Sequence, residues 1–66
     1  MKIRVNGNDR EVEEGIRLVS LMDQLGLKPQ STVVERNGAI VERKAYSETT
    51  LTQGDELELI RFVGGG

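Results

Sequence analysis

Apolar and polar residues alternate from the first residues of the chain. In MKIRVN, Ile3 and Val5 fall on one side and Lys2 and Arg4 on the other, the two-residue period of a half-buried strand. Asn6-Gly7 follows, a pair that tolerates the positive φ angles of a tight hairpin. The next segment, DREVEE, predicts a short second strand supported by Val12 and closed at Glu14-Gly15. The period then changes. Leu18, Leu21, Met22 and Leu25 stand at i, i+3, i+4 and i+7, one stripe of a helix. Gly26 and Pro29 mark the end of that helix, whereas its start carries no clear capping residue. TVVERN predicts a third strand, Asn37-Gly38 a second hairpin turn and AIVERK a fourth strand. The polar, threonine-rich KAYSETTLTQ predicts a loop anchored by Tyr46 and Leu51. Gly54-Asp55 makes a turn into a last strand, ELELIRF.

Two hairpins therefore flank one helix, and a final strand has still to be placed. One helix laid across one face of a mixed sheet buries all the apolar stripes at once. The first and last strands then lie parallel and adjacent at the centre. The expectation is an α+β fold of the β-grasp (ubiquitin-like) type, with four to five strands and one main helix on one face. A ferredoxin-like fold needs a second helix, and KAYSETTLTQ is a poor one. Residues 1–62 form one domain in this reading, and residues 63–66 form a flexible glycine tail.

Composition narrows the chemistry. The chain has 66 residues, no cysteine and no histidine, so no disulfide, thiolate metal site, thiol nucleophile or imidazole base is available. The lysines lie in polar contexts and the acids along alternating or turn-like stretches, so self-contained catalysis is not expected. Nor is a bound cofactor or metal. The net charge of −2 argues against a nucleic-acid partner, for which a basic surface is expected. No apolar run reaches the roughly 20 residues of a membrane span, and the polar start does not read as a signal peptide. The expectation is a cytoplasmic protein without membrane or nucleic-acid contacts.

One strand stands out. In ELELIRF, Leu57 and Leu59 share the side that faces the helix, which leaves Glu56, Glu58, Ile60 and Phe62 on the other. Of Val33 and Val34, one must also point outward. Ile60 and Phe62, with Val63 and Gly64 after them, are the candidate partner-binding residues beside the chain end. Asn6-Gly7 and Asn37-Gly38 read as turns alone, and Asp55 as a residue that serves its own turn.

The Asn-Gly pair ahead of a short strand, the run LTQGDELE from Leu51 to Glu58 and the terminal glycines together resemble the ThiS family of sulfur carriers in thiamine biosynthesis. The resemblance covers the whole chain. It departs in carrying three terminal glycines, so Gly64 takes a place often held by a small or aliphatic side chain. It implies that a ThiF-type adenylating enzyme, akin to ubiquitin activators, uses ATP to convert the carboxylate of Gly66 to an acyl-adenylate. Sulfur from a sulfur-donating enzyme then displaces AMP, and a ThiG-type thiazole synthase takes the sulfur from the resulting thiocarboxylate. The carrier is then a protein co-substrate and not an enzyme. Gly65 and Gly66 suit a narrow channel, having no Cβ, and four extended residues reach at most about 13–14 Å. The small subunit of molybdopterin synthase, a protein modifier attached through the same terminus, and a regulatory domain with an inert tail are the alternatives. Members of the molybdopterin group usually run longer.

Overall fold

The structure is a computed structural model, and it describes residues 1–62. The expected glycine tail, residues 63–66, lies outside the described residues.

Five strands form one mixed sheet: β1 (Lys2–Val5), β2 (Asn8–Glu11), β3 (Thr32–Arg36), β4 (Ala39–Val41) and β5 (Glu56–Arg61). Their order across the sheet is β2-β1-β5-β3-β4, so the last strand to be made lies in the middle. β1 and β5 run parallel, with Arg4 opposite Glu56 and Val5 opposite Leu57. All other neighbours are antiparallel. One helix, α1 (Leu18–Gln24), covers one face, and short 3-10 turns occupy Pro29–Ser31 and Arg43–Glu48. This is the β-grasp architecture expected from the order of elements. No helix among the described residues is long and apolar enough to cross a membrane.

Both Asn-Gly pairs close two-residue hairpins. Asn6 and Gly7 have φ of 51° and 84°, and Asn37 and Gly38 have 52° and 87°. Positive φ at both central positions is the type I′ turn, whose twist matches that of the flanking strands. The second strand is shorter than DREVEE. It starts at Asn8 and ends at Glu11, and Val12 only packs against the margin of the core.

The core beneath α1 consists of Ile3, Ile16, Leu18, Leu21, Met22, Val34, Tyr46, Leu51, Leu57 and Leu59, all buried. Leu25 and Val5, in phase with the apolar stripes that face it, are only partly buried at its edge. A seven-residue helix is too short to persist alone, so this packing holds it. Its N-terminus lacks a side-chain cap, as its sequence suggests. The backbone N–H of Leu18 donates instead to the carbonyl of Thr49 at 2.9 Å. Its C-terminus is a Schellman turn: Leu27 N–H donates to Met22 O at 2.8 Å and Gly26 N–H to Asp23 O at 3.1 Å, with Gly26 at φ 73°. The segment read as a loop after β4 contains a 3-10 turn, and Tyr46 and Leu51 anchor it as expected. The Tyr46 hydroxyl donates to Thr32 O at 2.8 Å within the core.

Candidate functional site

The sheet has a covered face and an open face, and β5 contributes to both. Leu57 and Leu59 are buried under α1, while Glu56, Glu58 and Ile60 are exposed. Phe62 follows the strand, its N–H donating to Ser31 O at 3.1 Å. Ile60 is 53% exposed and Phe62 44%, high values for large apolar side chains. Val33 lies directly opposite Ile60 on β3 and is half-buried, whereas Val34 is fully buried. Ile40, 63% exposed, stands on β4 opposite Glu35. The open face therefore ends in an apolar area beside Phe62, the last described residue before the tail. Of the residues singled out in the sequence, Ile60 and Phe62 sit together at this place. Val63, Gly64, Gly65 and Gly66 lie outside the described residues.

What holds β5 in position was not legible as such. β1 ends at Val5, the backbone N–H of Asn6 donates to Leu57 O at 2.9 Å, and the side chain of Asn6 carries the ladder one step further. Its Oδ1 accepts from Leu59 N–H at 2.8 Å, and its Nδ2 donates to Leu59 O at 3.3 Å. On the other side, Asn37 N–H donates to Glu56 O at 2.8 Å, and Asn37 Oδ1 accepts from Glu56 N–H at 2.9 Å. The two asparagines are thus more than turn residues. Each turn carries an amide that reaches the central strand, one near its start and one near its end.

Asp55 also does more than serve its turn. It is buried, and its Oδ2 accepts from Arg36 Nε at 3.0 Å and from Thr52 N–H at 2.8 Å, while Arg36 Nη2 lies 2.9 Å away. Its Oδ1 accepts from Asn37 Nδ2 and from the Thr52 hydroxyl, each at 3.1 Å. Burial alone raises the pKa of this carboxyl. The Thr52 N–H, the Asn37 amide, the Arg36 guanidinium and the Thr52 hydroxyl outweigh it and hold the group below its ordinary value of 3.8. Arg36 donates further to Thr50 O at 3.1 Å. One signal for this network was present in the sequence. The alternation that buries Thr32 and Val34 also turns Arg36 toward the covered face, where a guanidinium needs a carboxylate.

A single helix on a five-stranded mixed sheet, whose central strand runs out to an exposed aromatic, defines a β-grasp module. Comparison with known proteins places it further. The chain matches the model of the ThiS family over residues 3–66. It is 31% identical over 65 residues to the sulfur carrier protein ThiS of Bacillus subtilis, a match that covers 97% of this chain and 98% of that one. The crystal structure of the thiamine biosynthesis protein ThiS from Geobacter metallireducens superposes with a TM-score of 0.84 at 35% identity, covering 100% of both chains. The thiazole synthase of Magnetococcus marinus is 41% identical over 66 residues, all of this chain and 20% of that protein. The chain spans about a fifth of the length of the thiazole synthases that it matches. It belongs to the ThiS family.

Proposed function

We propose that the chain carries sulfur for thiazole formation in thiamine biosynthesis, on the carboxylate of Gly66. The observation that supports this reading most is the combination of family membership with the design of β5. A central strand held by the side chains of Asn6 and Asn37 carries an exposed apolar end, Ile60 and Phe62, ahead of Val63 and the glycines.

The chemistry follows from what a carboxylate lacks. It is a poor acyl donor because its leaving group would be oxide. An adenylating partner of the ThiF type attaches the carboxylate oxygen to the α-phosphate of ATP and releases pyrophosphate. Sulfur at the oxidation level of sulfide, supplied by a sulfur-donating enzyme, then attacks the acyl carbon. The C–S bond forms as the C–O bond to AMP breaks, and AMP departs with the electron pair. The terminal thiocarboxylate passes its sulfur to a thiazole synthase of the ThiG type. The thiazole synthases whose chains include a segment similar to this one support that last partner. The carrier acts as a co-substrate, and the nucleotide and the acid–base groups belong to its partners. Ile60, Phe62, Val63 and Gly64 meet the partner surface, while Gly65 and Gly66 enter its channel.

Incubation of the chain with ATP, a sulfide source and the adenylating enzyme tests this. The intact mass should rise by the difference between one sulfur and one oxygen atom. An unchanged mass, under conditions in which an established ThiS protein is converted, contradicts the reading.

A further inference from the structure

Asn6 and Asn37 share more than a turn type. Both are exposed, and each is followed by a glycine with open space around it. Among the described residues, the N–H of Gly7 and that of Gly38 have no acceptor. Glycine has no Cβ to shield its backbone nitrogen, so an asparagine ahead of it is open to attack on its own side-chain Cγ. The glycine nitrogen bonds to Cγ, its proton passes to the side-chain amide, and the Cγ–Nδ2 bond breaks to release ammonia. Water then opens the resulting succinimide at either carbonyl and leaves aspartate or isoaspartate. Water is the only other reactant. Asn8, followed by Asp9, lacks the unshielded nitrogen.

In the folded chain each amide must first leave its partners, and there the two sites differ. Both side chains accept from a backbone N–H of β5, Asn6 from Leu59 and Asn37 from Glu56. Their Nδ2 groups donate to unlike acceptors. Asn37 donates at 3.1 Å to the carboxylate of Asp55, which is buried and held in turn by Arg36 and Thr52. Asn6 donates to the neutral carbonyl of Leu59 at 3.3 Å. A bond to a charged acceptor is the stronger. The Asp55 carboxylate also opposes the negative charge that grows on Oδ1 of Asn37 as Cγ is attacked. We propose that Asn6 is a modification site, the place where spontaneous deamidation enters the folded chain, and that its conversion releases the end of β5. An aspartate at position 6 keeps the bond from Leu59 N–H but sets its second oxygen against Leu59 O, acceptor to acceptor. An isoaspartate lengthens the main chain of a two-residue turn by one carbon. The pairing of β5 with β1 ends at Leu57, and among the described residues Ile60, Arg61 and Phe62 are held from the β3 side alone. Without the Asn6 amide, the last turn-side hold on β5 is lost.

The test is ageing of the full chain in mildly alkaline buffer, folded and in urea, followed by peptide mapping that separates asparagine, aspartate and isoaspartate at positions 6, 8 and 37. In urea, Asn6 and Asn37 should convert at matching rates and Asn8 should lag behind both. In the folded chain, Asn6 should convert roughly 5-fold or more faster than Asn37, because local opening is rarer where the amide is held more strongly. Hydrogen exchange of the aged chain reads the consequence. The Leu59 amide should exchange roughly 10-fold faster than in the parent and gain more than the Ile3 amide, which reports opening of the whole domain. The variant Asn6→Asp should reproduce part of that change. Equal conversion of Asn6 and Asn37 in the folded chain, or Asn37 ahead, overturns the inference. So does a folded chain in which neither converts while both convert in urea. Conversion of Asn6 that leaves the Leu59 amide exchanging at the parent's rate overturns the release of β5.

Discussion

The two faces of β5 carry opposite obligations within six residues. On the covered face, Leu57 and Leu59 are buried and meet Ile3, Val34 and α1 in a single apolar cluster. On the open face, Glu56, Glu58 and Ile60 are exposed, and Glu58 stands directly opposite Glu35. The covered face is arranged for stability. The open face sets like charges opposite one another and leaves a large apolar side chain exposed, so it adds little to stability. The clamp atoms lie in the plane between the faces: Asn6, Asn37 and, through Asn37, Asp55 fix the strand that both faces share.

Substitutions should separate these obligations when read on one scale, urea unfolding. Leu57→Ala should cost most, about 2–5 kcal/mol, as core leucines do. That would consume much of the stability of so small a domain, and a near-parental midpoint would contradict the core described here.

Asp55→Ala comes next. It strands Arg36 and leaves the Thr52 N–H and the Asn37 amide without their acceptor. The cost should be about 2–3 kcal/mol, below that of a fully buried pair because Arg36 keeps some contact with water. The same carboxyl gives the fold a pH dependence of defined sign. Its pKa is lowered on folding, so its contribution is fully present above the unfolded value of 3.8 and is lost as pH falls through the lower folded value. Stability measured from pH 6 down to pH 2 should therefore fall less steeply for Asp55→Asn than for the parent. Parallel profiles would show that Asp55 is not the group responsible.

A smaller effect, about 1–2 kcal/mol, is expected for Asn6→Gly, which removes the two bonds to Leu59 while keeping a residue at ease with φ of 51°. If Asn6 served only its turn, glycine would be neutral. Phe62→Ala should be smallest on this scale, about 1 kcal/mol or less, since nearly half of the residue is exposed. A loss comparable to that of Leu57→Ala would mean that Phe62 belongs to the core and not to the partner surface.

Much of this architecture was legible in the chain because its signals are local. Strict alternation in MKIRVN, the i, i+3, i+4, i+7 stripe from Leu18 to Leu25 and two Asn-Gly turns each specify an element without help from distant residues. The order of those elements left few ways to bury their stripes. The exposure of Ile60 and Phe62 followed from the same alternation, once Leu57 and Leu59 were assigned to the core. What was missed depends on contacts far apart in sequence. The Asn6 side chain meets Leu59, 53 residues away, and Leu18 N–H meets Thr49 in place of a cap. An asparagine at a type I′ turn has a sufficient local reason to be there, so its second role stayed hidden. The helix edge was overdrawn for a related reason. Leu25 is in phase with the stripe, but it is the C-cap residue where the helix gives way to Gly26, and it ends only partly buried.

The central claim is that the carboxylate of Gly66 is the group that partners read and modify. Mass spectrometry of the chain and of a variant extended by one alanine after Gly66, each incubated with ATP, sulfide and the adenylating enzyme, tests it most directly. Both should fold alike, because the addition lies beyond every described contact. The account predicts that the parent exchanges one oxygen for sulfur and that the extended chain keeps its mass. Equal conversion of the two would contradict it.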